Sequence, residues 1–292
     1  MKKLTGLLIL LALPGVNAFG APVLTLNKGD HICYLGNALA DRMQQHGWLE
    51  TLIYAKFPDH DLIFRNLAAS GDEVATWHRS ENFGSRDDWL TKTKADVIFA
   101  FYGFNESFKG KEGLDKFKEN LDAFLKHTQA TNYSGKGPPR LVLFSPIANE
   151  KLSDPNLPDP AANNANLQLY TAAMAEVAKA NQVPFVDLFA VSQRLFAQAA
   201  KQGRSLTFNT FLLTEAGQRV FMESGLFPLT PKHKMQGAPG SKIELAVEFT
   251  GGMRSYFDAP VANVYDEDIA KKRSEALKER FRKDIEALWK PS

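Results

Sequence analysis

Only one cysteine, Cys33, occurs in 292 residues, so no intramolecular disulfide can form and the fold must rest on packing. Cys33 sits inside an apolar run, where a thiol behaves as a small buried hydrophobe. A catalytic thiol needs a partly exposed, electropositive setting. An excess of either charge is also missing: 35 Lys and Arg oppose 33 Asp and Glu, for a formal net charge of +2. With no basic stripe, neither nucleic acid nor an anionic membrane surface is indicated as a partner. No apolar run beyond the N-terminal region is long enough to cross a bilayer. Also absent are a Gly-x-Ser-x-Gly elbow, a P-loop, a His-Glu-x-x-His helix and a dinucleotide fingerprint. Asp59-His60-Asp61 has the composition of a metal trio, but it precedes the second strand on the wrong edge of the sheet and reads as a polar turn. No metal and no cofactor are expected.

What is present begins with an address. Lys2 and Lys3 precede the apolar run Leu7 to Leu13, followed by Pro14, Gly15 and small residues. This pattern predicts a secretory signal peptide over residues 1–20, cleaved after Ala18 or Gly20, and hence a secreted or periplasmic protein. An uncleaved anchor is the alternative.

The rest of the chain, 44% hydrophobic overall, is ample for one α/β domain. Strands are predicted at Ile32–Leu35, Leu62–Leu67, Val97–Tyr102, Leu141–Ser145 and Phe185–Leu188, each apolar on both faces. Helical patterns fall between and after them, at Ala38–Gln45, Trp48–Tyr54, Asp87–Thr93, Gly113–Gln129, Asn166–Asn181 and Val191–Gln202. This alternation predicts a three-layer, doubly wound parallel sheet of about five strands spanning residues 22–228. Residues 229–292 read as a C-terminal extension, with an amphipathic strand at Lys242–Phe249 and a charged helix at Asp266–Trp289. The extension either packs on the main domain or serves an oligomeric or partner contact.

The stretch that organises the domain is His31 to Arg42, where an apolar strand ends on Gly36 and a helix opens at Asn37. Open α/β sheets place their ligands at such corners. Three more strand-end blocks follow: Asn66 to Asp72, Gly103-Phe104-Asn105-Glu106, and Asn209 to Gly217. In type and order the four resemble the blocks of the SGNH/GDSL hydrolases, a family of flavodoxin-like architecture. Many of its members deacylate lipids, polysaccharides or small esters.

The resemblance implies that Gly71 and Asn105 occupy the oxyanion-donor positions. It also implies that the nucleophile, acid and base positions are Ala38, Asn209 and Leu212. Ala38 has no atom to attack with, Leu212 takes no proton, and Asn209 would favour a different histidine tautomer from aspartate. Ser70, His78 and Glu106 are the candidate substitutes, although a turn serine, a solvated histidine and a helix cap are their ordinary readings. Three functions therefore compete. The first is a pocket that binds a small ligand, such as a glycan or acyl group, without classical hydrolysis. The second is an ester hydrolase using the substitutes, and the third is a structural or partner-binding role for the C-terminal helix.

Overall fold

A computed structural model of the chain describes residues 24–223. The predicted signal peptide, the predicted boundary at residue 228, the predicted strand at Lys242–Phe249 and the predicted helix at Asp266–Trp289 lie outside the described residues. Within them, five parallel strands form one sheet: β1 (His31–Gly36), β2 (Ile63–Asn66), β3 (Val97–Phe101), β4 (Arg140–Phe144) and β5 (Phe185–Val186). Their order is β2-β1-β3-β4-β5, with Ile32 opposite both Phe64 and Val97, and Phe101 opposite both Gly36 and Phe144. The order reverses between β1 and β3, so the ligand crevice of this topology opens beyond the carboxyl ends of those two strands.

Side chains alternate across the sheet, and the two faces differ in content. One face carries Tyr34, Phe64, Phe99, Phe101 and Phe144 under α1 (Ala38–Met43), α2 (Trp48–Lys56), α6 (Leu188–Ala200) and α7 (Glu215–Glu223). Its rings stack in pairs, Tyr34 on Phe99 at 5.7 Å and Phe101 on Phe144 at 4.4 Å. Each such ring, fully buried, contributes about 1.5–3 kcal/mol over leaving it exposed. The other face carries the smaller Cys33, Leu35, Ile98, Ala100, Leu141 and Leu143 under α3 (Arg86–Lys92), α4 (Leu114–Ala130) and α5 (Ala161–Ala180). Cys33 is fully buried, with Sγ 3.3 Å from Thr93 Oγ1, and burial pushes its thiol up to about 12. It is a core residue.

Three helices depart from the sequence pattern for local reasons. α5 starts at Ala161, five residues before the predicted Asn166, although its first turn has no apolar stripe. Tertiary bonds hold that turn: Asn164 accepts from the Asn149 amide at 2.7 Å and donates to the Asn149 carbonyl at 2.9 Å. α6 starts at Leu188 because Asp187 caps it, accepting from the Ala190 amide at 2.9 Å. α7 lies within and beyond the fourth block, and Thr214 Oγ1 accepts from the Gly217 amide at 3.0 Å in its first turn. No helix among the described residues is long and apolar enough to cross a membrane.

Candidate functional site

The site is built outward from Gly36, whose φ of +127° is open to glycine. A Cβ there would stand 2.0 Å from the Phe101 carbonyl oxygen, which is rigid backbone at the end of β3. That same oxygen accepts from the Asn37 amide at 3.1 Å, fastening the corner to β3. Asn37 is buried and caps α1, its side chain accepting from the Leu39 amide at 3.2 Å. Ala38 is therefore the first residue of α1, at the carboxyl edge of the sheet. Beside it is a cavity of about 10 Å³, walled by Leu39, Phe104, Pro146, Ile147 and Phe211. That is room for about one water molecule. Phe104 and Phe211 stack across it at 4.8 Å, and Phe108, 61% exposed, meets Phe104 edge-on at 5.5 Å.

The fourth block arrives on a loop held by a residue that the sequence pattern did not single out. Glu150 is buried, and its carboxylate accepts from the amides of Leu206 at 3.0 Å and Thr207 at 2.7 Å, and from the Thr207 hydroxyl at 2.6 Å. The Glu150 amide in turn donates to the Thr210 carbonyl at 2.6 Å. A lone acid in a loop rich in proline and asparagine gave no signal of this clamp. Phe211, on that loop, lines the same cavity as Ala38, so the first and fourth blocks converge there. Asn209 and Leu212 are both half-buried. Asn209 Oδ1 accepts from the Leu212 amide at 2.9 Å and so serves its own turn. Phe208 is 51% exposed, with the Arg42 guanidinium 5.1 Å from its ring centre.

The second and third blocks are polar and densely bonded. Asn105 Nδ2 donates to the Asp72 carbonyl at 3.0 Å, so one of its two amide hydrogens is already engaged. Gly71 has a φ of +96° and faces open space. Asp72 is buried and bound by both Arg79 guanidinium nitrogens, at 2.7 and 2.8 Å. Arg79 also donates to the Leu67 carbonyl at 2.9 Å and lies 3.7 Å over the Trp77 ring. Glu106 accepts from the amides of Val74 at 2.9 Å and Gly103 at 3.0 Å, and burial pushes its carboxyl up to about 7. It spans two loops.

Of the other candidate substitutes, Ser70 is exposed and its hydroxyl donates to Asp41 Oδ2 at 2.7 Å. His78 is exposed in the same loop. Ser70, His78 and Glu106 all lie outside the wall of the cavity beside Ala38. Among the described residues no three His, Cys, Asp or Glu side chains gather in a way that would hold a metal ion.

This arrangement of strand-end blocks has a family. The model of the GDSL-like lipase/acylhydrolase family matches residues 29–220. The chain belongs to that family. No curated protein sequence matches it. Among solved structures, a GDSL-like lipase from Parabacteroides merdae is similar at a TM-score of 0.54 and 16% identity, over 69% of this chain and 95% of that one. An acetylxylan esterase from Geobacillus stearothermophilus, in a catalytic mutant form, is similar at 0.52 and 16%, over 70% and 96%. A gut microbial diltiazem-metabolizing enzyme is similar at 0.53 and 18%, over 70% of this chain. The match spans about half of that enzyme's length, 47%. At these identities the likeness shows the fold, a five-stranded α/β sheet of the SGNH hydrolase type.

Proposed function

We propose that this protein is an exported member of the GDSL family that has given up Ser-His-Asp ester hydrolysis and binds a small ligand, a glycan or an acyl group, at the carboxyl edge of its sheet. The observation that carries the reading is Ala38: a methyl group stands at the head of α1, beside a cavity of about 10 Å³ roofed by Phe104 and Phe211. Among the described residues the one polar side chain lining that cavity is the capping Asn37 amide, which is neither a nucleophile nor a base. Donors without a nucleophile leave about 10³–10⁴ of acceleration where a triad has been removed. That is small beside typical enzymatic factors.

Of the two ligand classes, the shape favours the sugar. An acyl chain needs a deep apolar channel, whereas a sugar ring needs an exposed flat ring with polar groups near it. Phe108 and Phe208 are 61% and 51% exposed, and Arg42 lies against Phe208. The structurally similar acetylxylan esterase adds support of the same kind, since its substrate is an acetylated glycan.

The test is hydrolysis of short aryl esters and acetylated xylo-oligosaccharides by the native protein. It runs beside a variant carrying Ala38→Ser, Asn209→Asp and Leu212→His. The native protein is expected at background, with calorimetric binding of the oligosaccharide. Native turnover that falls on the order of 10²–10³-fold on Asn105→Ala would establish a working oxyanion donor and overturn the reading.

A further inference from the structure

Glu106 is a carboxyl group at 5% exposure that bonds two separate pieces of chain and pairs with no cation among the described residues. One oxygen takes the Val74 amide, in the long loop between β2 and α3; the other takes the Gly103 amide, where β3 ends. Among the described residues, the other side-chain bond from the third block to that loop is Asn105 to the Asp72 carbonyl, one residue past Gly71. We propose that Glu106 is a proton-dependent latch: its neutral carboxyl keeps the 67–85 loop down on the end of β3, and its ionised form lets the loop lift and uncover the Asn105 amide.

The sign follows from the surroundings. Burial opposes the charge more than three amide donors, those of Val74, Gly103 and Glu106 itself, favour it, and Glu73 in the same loop opposes it further. Every other charged or titratable group facing the carboxyl is engaged elsewhere or stays neutral. Glu73 pairs with Lys109, in the 3-10 helix Glu106–Gly113, at 3.0 Å. Asp72 is held by Arg79, and Arg86 of α3 donates to the Val74 carbonyl at 3.1 Å. Tyr102 of β3 and Tyr170 of α5 have phenols pushed up by burial, so both remain uncharged near neutrality.

Neutralising Glu106 weakens one amide bond but ends the burial of a full charge, and the second effect is larger. In a lifted loop the carboxyl is in water, with its ordinary acidity. The latched form therefore binds the proton more tightly, and by linkage acid favours latching while rising pH favours lifting. The latch concerns the loop alone and stands whatever the site binds.

Amide hydrogen exchange of the native protein and of Glu106→Gln, corrected for intrinsic exchange, tests this between pH 5 and pH 8.5. Protection at Val74 and its neighbours is expected to fall by at least about tenfold in the native protein as pH rises. The neutral Gln variant is expected to show no such fall. Native protection that is flat with pH, or a fall that persists in Glu106→Gln, overturns the proposal. Should the variant fail to fold, ¹³C titration of the Glu106 carboxyl in the native protein decides. A midpoint near neutrality supports the latch, and one near the ordinary 4.5 overturns it.

Discussion

On the β2–α3 side of the sheet edge, polar side chains carry the bonds: Arg79 grips Asp72, Asn105 holds the Asp72 carbonyl, and Glu106 ties Val74 to Gly103. On the β1 side, where α1 meets the 206–213 loop, the cavity wall is mainly apolar: Ala38, Phe104 and Phe211 line it, and the two rings stack. The two sides meet at the same crevice but are maintained for different reasons. Asn105 and Glu106 anchor a 19-residue loop (67–85), a duty that exists without any chemistry. Finding them in place is therefore no evidence of turnover. The side chains of Ala38 and Leu212 can make no such bonds, and under the function proposed above chemistry would have to be read from those positions.

The largest effect that can break this contrast comes from Arg79. Arg79→Ala leaves the buried Asp72 carboxylate without its bidentate partner, and is expected to cost about 3–5 kcal/mol in urea unfolding. Adding Asp72→Asn should recover part of that loss. A loss below about 1 kcal/mol would mean that the polar side is merely decorated surface.

Glu106 gives the next effect, and its sign is fixed. The folded-state carboxyl is raised from 4.5 to about 7, so its contribution to stability is fully present below pH 4.5 and is lost as pH rises through about 7. The stability of the native protein minus that of Glu106→Gln should fall by about 3 kcal/mol across this window and stay level above it. A difference that grows with pH would show that the amide bonds outweigh burial.

How much of this could be read from the chain differs between the same two sides. Buried parallel strands are apolar on both faces, so β1, β3 and β4 lie within a residue or so of the runs that predicted them. The Gly36 corner was legible for a similar reason, since few other sequences turn a buried strand so sharply into a helix. The Glu150 clamp, the Arg79 grip and the first turn of α5 were not. Each depends on a partner distant in sequence or on a loop's path, and a lone Glu or Arg in a polar stretch has no periodicity to betray it. α7 escaped because its first residues read as the end of the fourth block rather than as a helix. The identities at Ala38, Asn209 and Leu212 were legible, and the structure adds that Phe211, one residue before Leu212, is the side chain that reaches the cavity.

The smallest stability effects are the most informative about function, because they separate surface from scaffold. Phe108 is 61% exposed and touches the roof of the cavity only edge-on through Phe104, so Phe108→Ala should change stability by less than about 0.5 kcal/mol. If the exposed rings stack on a sugar, the same change should weaken oligosaccharide binding about tenfold, the equivalent of about 1.4 kcal/mol. Ser70→Ala is the matched control on the polar side: the exposed hydroxyl bonds the half-buried Asp41 and its removal should alter neither stability beyond about 0.5 kcal/mol nor binding. Calorimetry on the two variants tests the pair together. Loss of binding in Ser70→Ala with none in Phe108→Ala would move the ligand across the crevice, onto the loop that Glu106 holds.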